Sequence, residues 1–217
     1  MDKHPDFDNL YICNHPLILH KLTHMRSVDC TKIEFKNLLK ELSLLMGYEV
    51  TRTMPVKDVE IQTPITKTKQ PVLVDKTPVI APILRAGLGM SDGLEDLIPS
   101  ATIGHIGMYR DEETKEPVEY LIRLPDLTDR TVFLVDPMLA TGNSAKYALD
   151  VVKRHNADMS KVSFMALLAA PEGVKVLQDA YPEVPVFVAA MDEYLNENAY
   201  IVPGLGDAGD RVFGTDH

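Results

Sequence analysis

The chain has little that would tie it to a membrane, to nucleic acid or to an oxidising compartment, and each shortage removes a class of function. Its 217 residues include two cysteines, Cys13 and Cys30, which form no C-x-x-C pair. That excludes a disulfide framework and predicts a cytoplasmic protein. No apolar stretch approaches the roughly 18 residues of a membrane span. The opening residues Met1-Asp-Lys-His-Pro-Asp-Phe-Asp8 are too polar for a signal peptide, so an untargeted chain is expected. Basic residues are in deficit: 22 Lys and Arg face 32 Asp and Glu, a net charge of −10. Such a field repels nucleic-acid backbones and anionic membranes at long range, so any phosphate site must be local. Internal repeats and low-complexity tracts are missing too, which excludes an array or a linker. The length suits a single α/β domain across 1–217, large enough to bury roughly 70% of its unfolded surface.

What is present alternates. Apolar runs at 78–84, 101–109, 131–135, 162–169 and 184–190 are separated by helical patterns at 88–97, 144–155 and 172–181, which predicts a mostly parallel sheet flanked by helices. Thr31 followed by Glu34 reads as a capping box, opening a helix with Phe35, Leu38, Leu39, Leu42, Leu45 and Met46 on one face and Gly47 at its end. From Val50 to Pro71 the composition changes to Thr, Val, Ile and Lys punctuated by Pro55, Pro64 and Pro71. This predicts an exposed β-arm (51–71) whose apolar positions call for cover from a second subunit, which argues for a homodimer; a mobile hairpin is the plain alternative.

In parallel sheets ligands bind beyond the carboxyl ends of the strands, and four such segments carry candidate chemistry. The most informative is Thr131-Val-Phe-Leu-Val-Asp-Pro-Met-Leu-Ala-Thr-Gly-Asn-Ser-Ala145. A strand passes through Asp136 and a Thr141-Gly142 turn into a helix, whose opening amides have no internal acceptor and point at whatever anion sits there. Thr141 and Ser144 add hydroxyls, and Asp136 can accept from sugar hydroxyls, which favours a ribose 5-phosphate over a bare phosphate. An ordinary strand-to-helix turn is the plain alternative. The second segment, Pro82-Ile-Leu-Arg-Ala-Gly-Leu-Gly-Met90, delivers Arg85 into a glycine turn. It is either a second anion cradle or the site of a structural salt bridge; it is not a dinucleotide fingerprint, because the third glycine would fall at Asp92. The third ends at Arg110 and opens into a polar, flexible loop (110–118), where a cation could neutralise a diphosphate leaving group. Asp111, Glu112 and Glu113 in that loop read as a solvated run. The fourth, Tyr200 to Gly214, has four glycines in eleven positions, a backbone that a planar base could approach closely and that main-chain N–H and C=O could read. Asp207 and Asp210 there either hold a hydrated magnesium ion or cap turns. His15, His20 and His24 cluster early without a carboxylate or cysteine to complete a ligand set, and are expected to be structural.

With these segments in hand the chain resembles the uracil phosphoribosyltransferase family. The resemblance is carried by His15-Pro-Leu, His20-Lys-Leu, Pro82 to Met90, Gly107-Met-Tyr-Arg-Asp-Glu-Glu-Thr114, Val135-Asp-Pro-Met-Leu-Ala-Thr-Gly142, Ala170-Pro-Glu-Gly173 and Tyr200 to Gly214. It implies a type I phosphoribosyltransferase fold and the transfer of ribose 5-phosphate from 5-phosphoribosyl 1-diphosphate (PRPP) to N1 of uracil, giving UMP and diphosphate. It also implies that Asp136, Pro137, Met138, Leu139, Ala140, Thr141, Gly142, Asn143 and Ser144 bind the ribose 5-phosphate, and that Arg85 and Arg110 contact the diphosphate. Uracil falls to the backbone of Ile201, Gly206, Asp207 and Ala208 in the 198–214 loop. Asp207 is implied to bind PRPP as well; Arg85, Arg110 and Asp207 are the implied catalytic residues, with Asp207 reaching Mg2+ indirectly through PRPP and water. Some members are activated by GTP or inhibited by UTP or UMP, and some assemble beyond the dimer. One position departs: Asn143 replaces the family's usual glycine, and the expectation is a loop that survives with altered phosphate affinity because Asn tolerates left-handed angles. Two rivals share the fold, an RNA-binding regulator, which the acidic surface opposes, and a purine transferase, which the C-terminal loop opposes.

Overall fold

Segments that read as unbroken apolar sequence lie in the middle of the molecule, because there a strand is covered on both faces. Val132–Val135 is wholly buried and Val162–Ala169 is buried at every position but Ser163. The computed structural model describes residues 1–74, 76–110 and 117–215, with the backbone alone for Arg110 and Pro117. Along the chain, β1 (Asp2–Lys3) and β2 (Leu10–Ile12) precede α1 (Pro16–Arg26) and α2 (Lys32–Val50); β3 (Val56–Gln62) and β4 (Lys67–Leu73) form the arm. There follow β5 (Val79–Leu84), α3 (Leu88–Leu97), β6 (Thr102–Ile103), β7 (His105–Arg110), β8 (Pro117–Arg123), β9 (Val132–Val135), β10 (Met138–Leu139) and α4 (Asn143–Arg154). The last part holds β11 (Val162–Ala169), α5 (Pro171–Ala180), β12 (Val186–Met191), β13 (Tyr194–Leu195), β14 (Ile201–Val202) and α6 (Ala208–Phe213).

The main sheet has the order β1-β2-β12-β11-β9-β5-β7-β8, with β10 beside β11 and β6 beside β5. Pairing is parallel from β2 through β7, and β1 and β8 add antiparallel edges. Period-two alternation divides the strand side chains between two cores. Val162, Phe164 and Ala166 of β11 face α4 and α5, where Ala148, Leu149, Val152, Val174 and Leu177 meet them. Met165 and Leu167 face α1, α2, α3 and α6, where Met25, Leu39, Leu42, Leu94 and Val212 are buried. The mostly parallel sheet between two helical layers is the architecture the alternating pattern implies.

The structure moves several boundaries. The capping box at Thr31 and Glu34 is present, but α2 runs past Gly47 to Val50. Gly47 is there for contact: a Cβ would lie 2.4 Å from Leu94 Cδ2. The predicted run 101–109 is split at Gly104, whose N–H donates to Ile80 O at 2.8 Å, while a side chain would collide with Leu124. In the arm, Thr51–Thr53 form a 3-10 turn, and among the described residues β3 and β4 pair only with each other, from Val56↔Leu73 to Gln62↔Lys67. The β7–β8 hairpin is tied to α4 by Glu119, which accepts from Tyr147 Oη at 2.7 Å and from Arg154. Those two donors, Tyr147 foremost, hold the Glu119 carboxyl below its usual range. The loop residues 111–116 lie outside the described residues.

Candidate active site

Two adjoining hollows open at the carboxyl ends of β5, β9 and β10. One, about 280 Å³, is lined by Met138, Ala140, Thr141, the 198–201 stretch, Gly206, Asp207 and Ala208. The other, about 260 Å³, is lined by Arg85, Ala86, Asp136, Met138, Asp207, Ala208 and Gly209. Met138, Asp207 and Ala208 belong to both, so they form the ridge of one two-lobed cleft. A larger hollow of about 410 Å³ lies elsewhere, between α1 and α2, and contains none of the strand-end residues.

Each wall has a local cause. After β9 the chain interrupts its ladder: Asp136 N–H still reaches Met165 O at 3.2 Å, and Pro137 supplies only its carbonyl, which takes the N–H groups of Leu167 and Leu168 at 3.0 and 3.1 Å. Pairing resumes in β10 with Met138↔Leu168 and Leu139↔Ala169. The interruption holds Asp136 half-buried at the cleft. Desolvation there, with repulsion from Asp207 added, pushes its carboxyl up to about 7 against a hydrogen bond from the Met138 backbone. Gly142 then turns into α4 with φ of +81°, as an N-cap without a side chain. The helix's opening amides are left to an incoming anion. Gly173 at the start of α5 lies directly behind: a Cβ there would sit 2.4 Å from Ala140 O. The Ala170-Pro-Glu-Gly173 block thus buttresses the loop, and Glu172 also accepts from Leu195 N at 3.1 Å.

Asn143 is the first residue of α4, exposed and helical. The left-handed angle belongs to Gly142, and the described non-glycine residues with positive φ are Asp129, Asn156 and Ala199. The expectation that Asn143 needs a left-handed conformation is therefore corrected: the position carries no such strain. Arg85 follows a cis peptide after Leu84. Its guanidinium lies over the Phe213 ring at 5.5 Å, and no ion pair to a carboxylate is seen for it among the described residues. Gly87 permits the tight approach behind it, where a Cβ would be 2.6 Å from the carbonyls of both Ile83 and Val135. Arg110 ends β7 opposite Pro117; only its backbone is described.

The glycine-rich segment is partly helical. Asp207 caps α6, its Oδ1 accepting from Asp210 N at 2.9 Å, so capping is the observed use of that carboxylate. Among the described residues no group of three His, Cys, Asp or Glu could hold a metal. His15 caps α1, accepting from Leu17 N at 3.2 Å, and the His20 and His24 rings meet edge to face at 4.6 Å.

A family model described as uracil phosphoribosyltransferase matches residues 12–215. A uracil phosphoribosyltransferase of Burkholderia ambifaria is 59% identical over 209 residues, 96% of either chain, and one of Ralstonia pickettii is 57% identical over 215 residues, 99% of either. The chain belongs to the uracil phosphoribosyltransferase family. It is accordingly an enzyme, a pentosyltransferase. A solved structure of a protein from Aquifex aeolicus superposes with a TM-score of 0.90 at 37% identity, covering 95% of this chain and 99% of that one. A hypoxanthine-guanine phosphoribosyltransferase from Bacillus anthracis superposes over 72% of this chain and 79% of its own, at a TM-score of 0.51 and 16% identity, which shows the shared fold.

Three residues that bond to the 204–205 turn beside this cleft escaped the sequence reading. Asp192 follows β12 and is engaged by Arg26 of α1, with Nη2 to Oδ1 at 2.6 Å and Nη1 to Oδ2 at 2.7 Å. Arg211 spans from α6 to the α1–α2 connection, giving hydrogen bonds to Met25 O and Ser27 O at 2.8 and 2.7 Å. The strand-end rule would have flagged Asp192; nothing in the sequence pairs it with a residue 166 positions away.

Proposed function

We propose that this chain transfers ribose 5-phosphate from PRPP to N1 of uracil, forming UMP and diphosphate in the salvage of pyrimidine bases. The two-lobed cleft is the observation that carries the reading. The phosphate loop and the peptide-rich 198–208 segment line one lobe, Arg85 and Asp136 the other, and a sugar bridging them would sit on the ridge of Met138, Asp207 and Ala208. In this arrangement Ala140 to Ser144 receive the 5-phosphate and Asp136 accepts from the ribose hydroxyls. Arg85, with Arg110 from the hairpin, neutralises the departing diphosphate.

Uracil N1 attacks C1 as the bond to diphosphate breaks, its N1 proton passing to the departing diphosphate or to water, through a state with oxocarbenium character that needs no covalent enzyme intermediate. The loops contribute positioning, and the arginines favour the charge that develops on the leaving group. Peptide groups at Ile201, Gly206, Asp207 and Ala208 read the base. Uracil presents an N3 donor beside an O4 acceptor, cytosine the reverse, and each buried mismatch costs roughly 1–3 kcal/mol.

Magnesium fits as a companion of the diphosphate, contributing charge neutralisation. Asp207, on the ridge shared by the two lobes, is the residue that would lie near such an ion. A homodimer built on the arm, and a cytoplasmic setting for an enzyme with two free cysteines, complete the reading; no described helix is long and apolar enough to cross a membrane. GTP activation, UTP or UMP inhibition and higher assembly are further expectations of the family. The test is formation of UMP from radiolabelled uracil and PRPP with magnesium, with and without GTP. Turnover supports the assignment and reads out the regulation; a folded protein that turns over a purine base but not uracil overturns it.

A further inference from the structure

We infer that the Arg26–Asp192 ion pair, backed by Arg211, positions the peptides that read the base and so sets the affinity for uracil; this rests on the reading of residues 198–208 as the base site. None of the three lines either lobe of the cleft. They act on the backbone one and two residues before Gly206.

Asp192 is fixed at both ends. Its N–H donates to Ala169 O at 2.8 Å, and its carboxylate, 5% exposed, is bidentate to Arg26. The same ion pair satisfies both polar groups of one peptide residue: Gly204 N donates to Asp192 Oδ2 at 2.9 Å, and Gly204 O accepts from Arg26 Nη1 at 2.7 Å. At Gly204 (φ +64°) the chain folds back so tightly that a Cβ would be 2.1 Å from Ile201 O. One residue later, Leu205 O accepts from Arg211 Nη1 at 2.9 Å. The Arg211 guanidinium also lies over the Phe35 ring at 4.5 Å and donates to Met25 O, Ser27 O and Cys30 O. Gly206 and Asp207, both exposed, are therefore bracketed by two clamped carbonyls on one side and the capped α6 on the other.

A site that reads its ligand through main-chain groups depends on where those groups are held. A misplacement of about 1 Å is enough to cost two orders of magnitude in rate. Loss of one member of a buried pair leaves the other charge unpaired and destabilises the fold, so conservative variants are the informative ones. A lysine at 26 has no planar fork to serve Asp192 and Gly204 O together, and an asparagine at 192 keeps an acceptor for Gly204 N without the charge.

The experiment compares Arg26→Lys, Asp192→Asn and Arg211→Lys with the parent enzyme, after thermal melting has shown each to be folded. Steady-state rates are measured with uracil and PRPP varied in turn. The expected result is a rise in KM for uracil of about tenfold with a smaller rise in KM for PRPP, within about threefold, since Asp207 and Ala208 also border the donor lobe while the phosphate loop itself is held by α5. Asp192→Asn should also impair less than Asp192→Ala. An unchanged KM for uracil in folded variants, or parallel rises in both constants, overturns the inference. Arg211→Lys alone decides it if the buried pair does not tolerate change. In parallel, the parent enzyme is photolabelled with 5-iodouracil and the adduct mapped. Label within 194–214 sustains the base-site reading whatever the kinetics say; label elsewhere, or none, overturns that reading and the inference with it.

Discussion

Asp136 shows how one side chain acquires its chemistry from position. In the sequence it is an acid after a strand, and that much was legible; its elevated carboxyl follows first from burial at the proline-interrupted ladder and then from Asp207, about a third of the chain further on, which no local pattern reports. A carboxyl at about 7 in the folded chain keeps a proton that the unfolded chain releases near 3.9. The fold therefore loses stability as pH rises through that window, and the loss is complete above about 7. Ribose hydroxyls donating to the carboxylate favour the ionised form, so PRPP binding should strengthen as pH rises from about 6 to about 8. The expected outcome is a fall in KM for PRPP over that range which Asp136→Asn flattens, read as the difference between the two pH profiles because the ionisation of PRPP itself is common to both. Identical profiles would remove Asp136 as the acceptor. Asn143 teaches the opposite lesson: suspicion fell on it because glycine is usual there, yet the turn's unusual angle is spent one residue earlier, at Gly142. Asn143→Gly should leave KM for PRPP within about twofold, and a clear fall would restore the idea of a strained loop.

At the level of elements, helical and strand periodicities gave types and order well, because the sheet interior imposes continuous apolar runs and the helices bury one face. Ends were less legible. Gly47 looks like a stop but serves the α2–α3 contact, and the arm begins only after a 3-10 turn. The same ambiguity hides the purpose of Gly173, which no spacing rule links to residues 139–142. Loop and helix meet there at backbone distance: an added Cβ would be 2.4 Å from Ala140 O and 2.8 Å from Leu139 O. Gly173→Ala must push either the loop outwards or α5 away from the sheet. We expect KM for PRPP to rise about tenfold while KM for uracil changes less, with stability lower by about 1–3 kcal/mol. Chemical denaturation and the two Michaelis constants check this; an unaltered constant for PRPP would mean that the loop adjusts freely.

For the molecule as a whole, the arm is the feature that a single chain leaves unfinished. Among the described residues β3 and β4 pair only with each other, and Val56, Ile61, Ile65, Val72 and Leu73 along the hairpin are exposed. An isolated two-stranded hairpin is at best marginally stable in water, which is why a second subunit is its expected cover. Removing residues 60–69 and closing the hairpin with a short turn should convert a dimer to a monomer in sedimentation equilibrium; a truncated protein that still dimerises would place the interface elsewhere. Charge and length were readable from composition, whereas the closing of the site was not, since Arg26 meets Gly204 across 178 positions and Arg211 meets Met25 across 186. That span has a consequence for synthesis. The phosphate loop and the helices that support it lie within residues 131–180 and can assemble while translation continues, but the base-reading turn waits for residues 201–211 to emerge and find partners made near the beginning. The turn that reads the acceptor thus waits on contacts that span most of the sequence, and the donor lobe is itself completed only when Asp207 and Ala208 take their places.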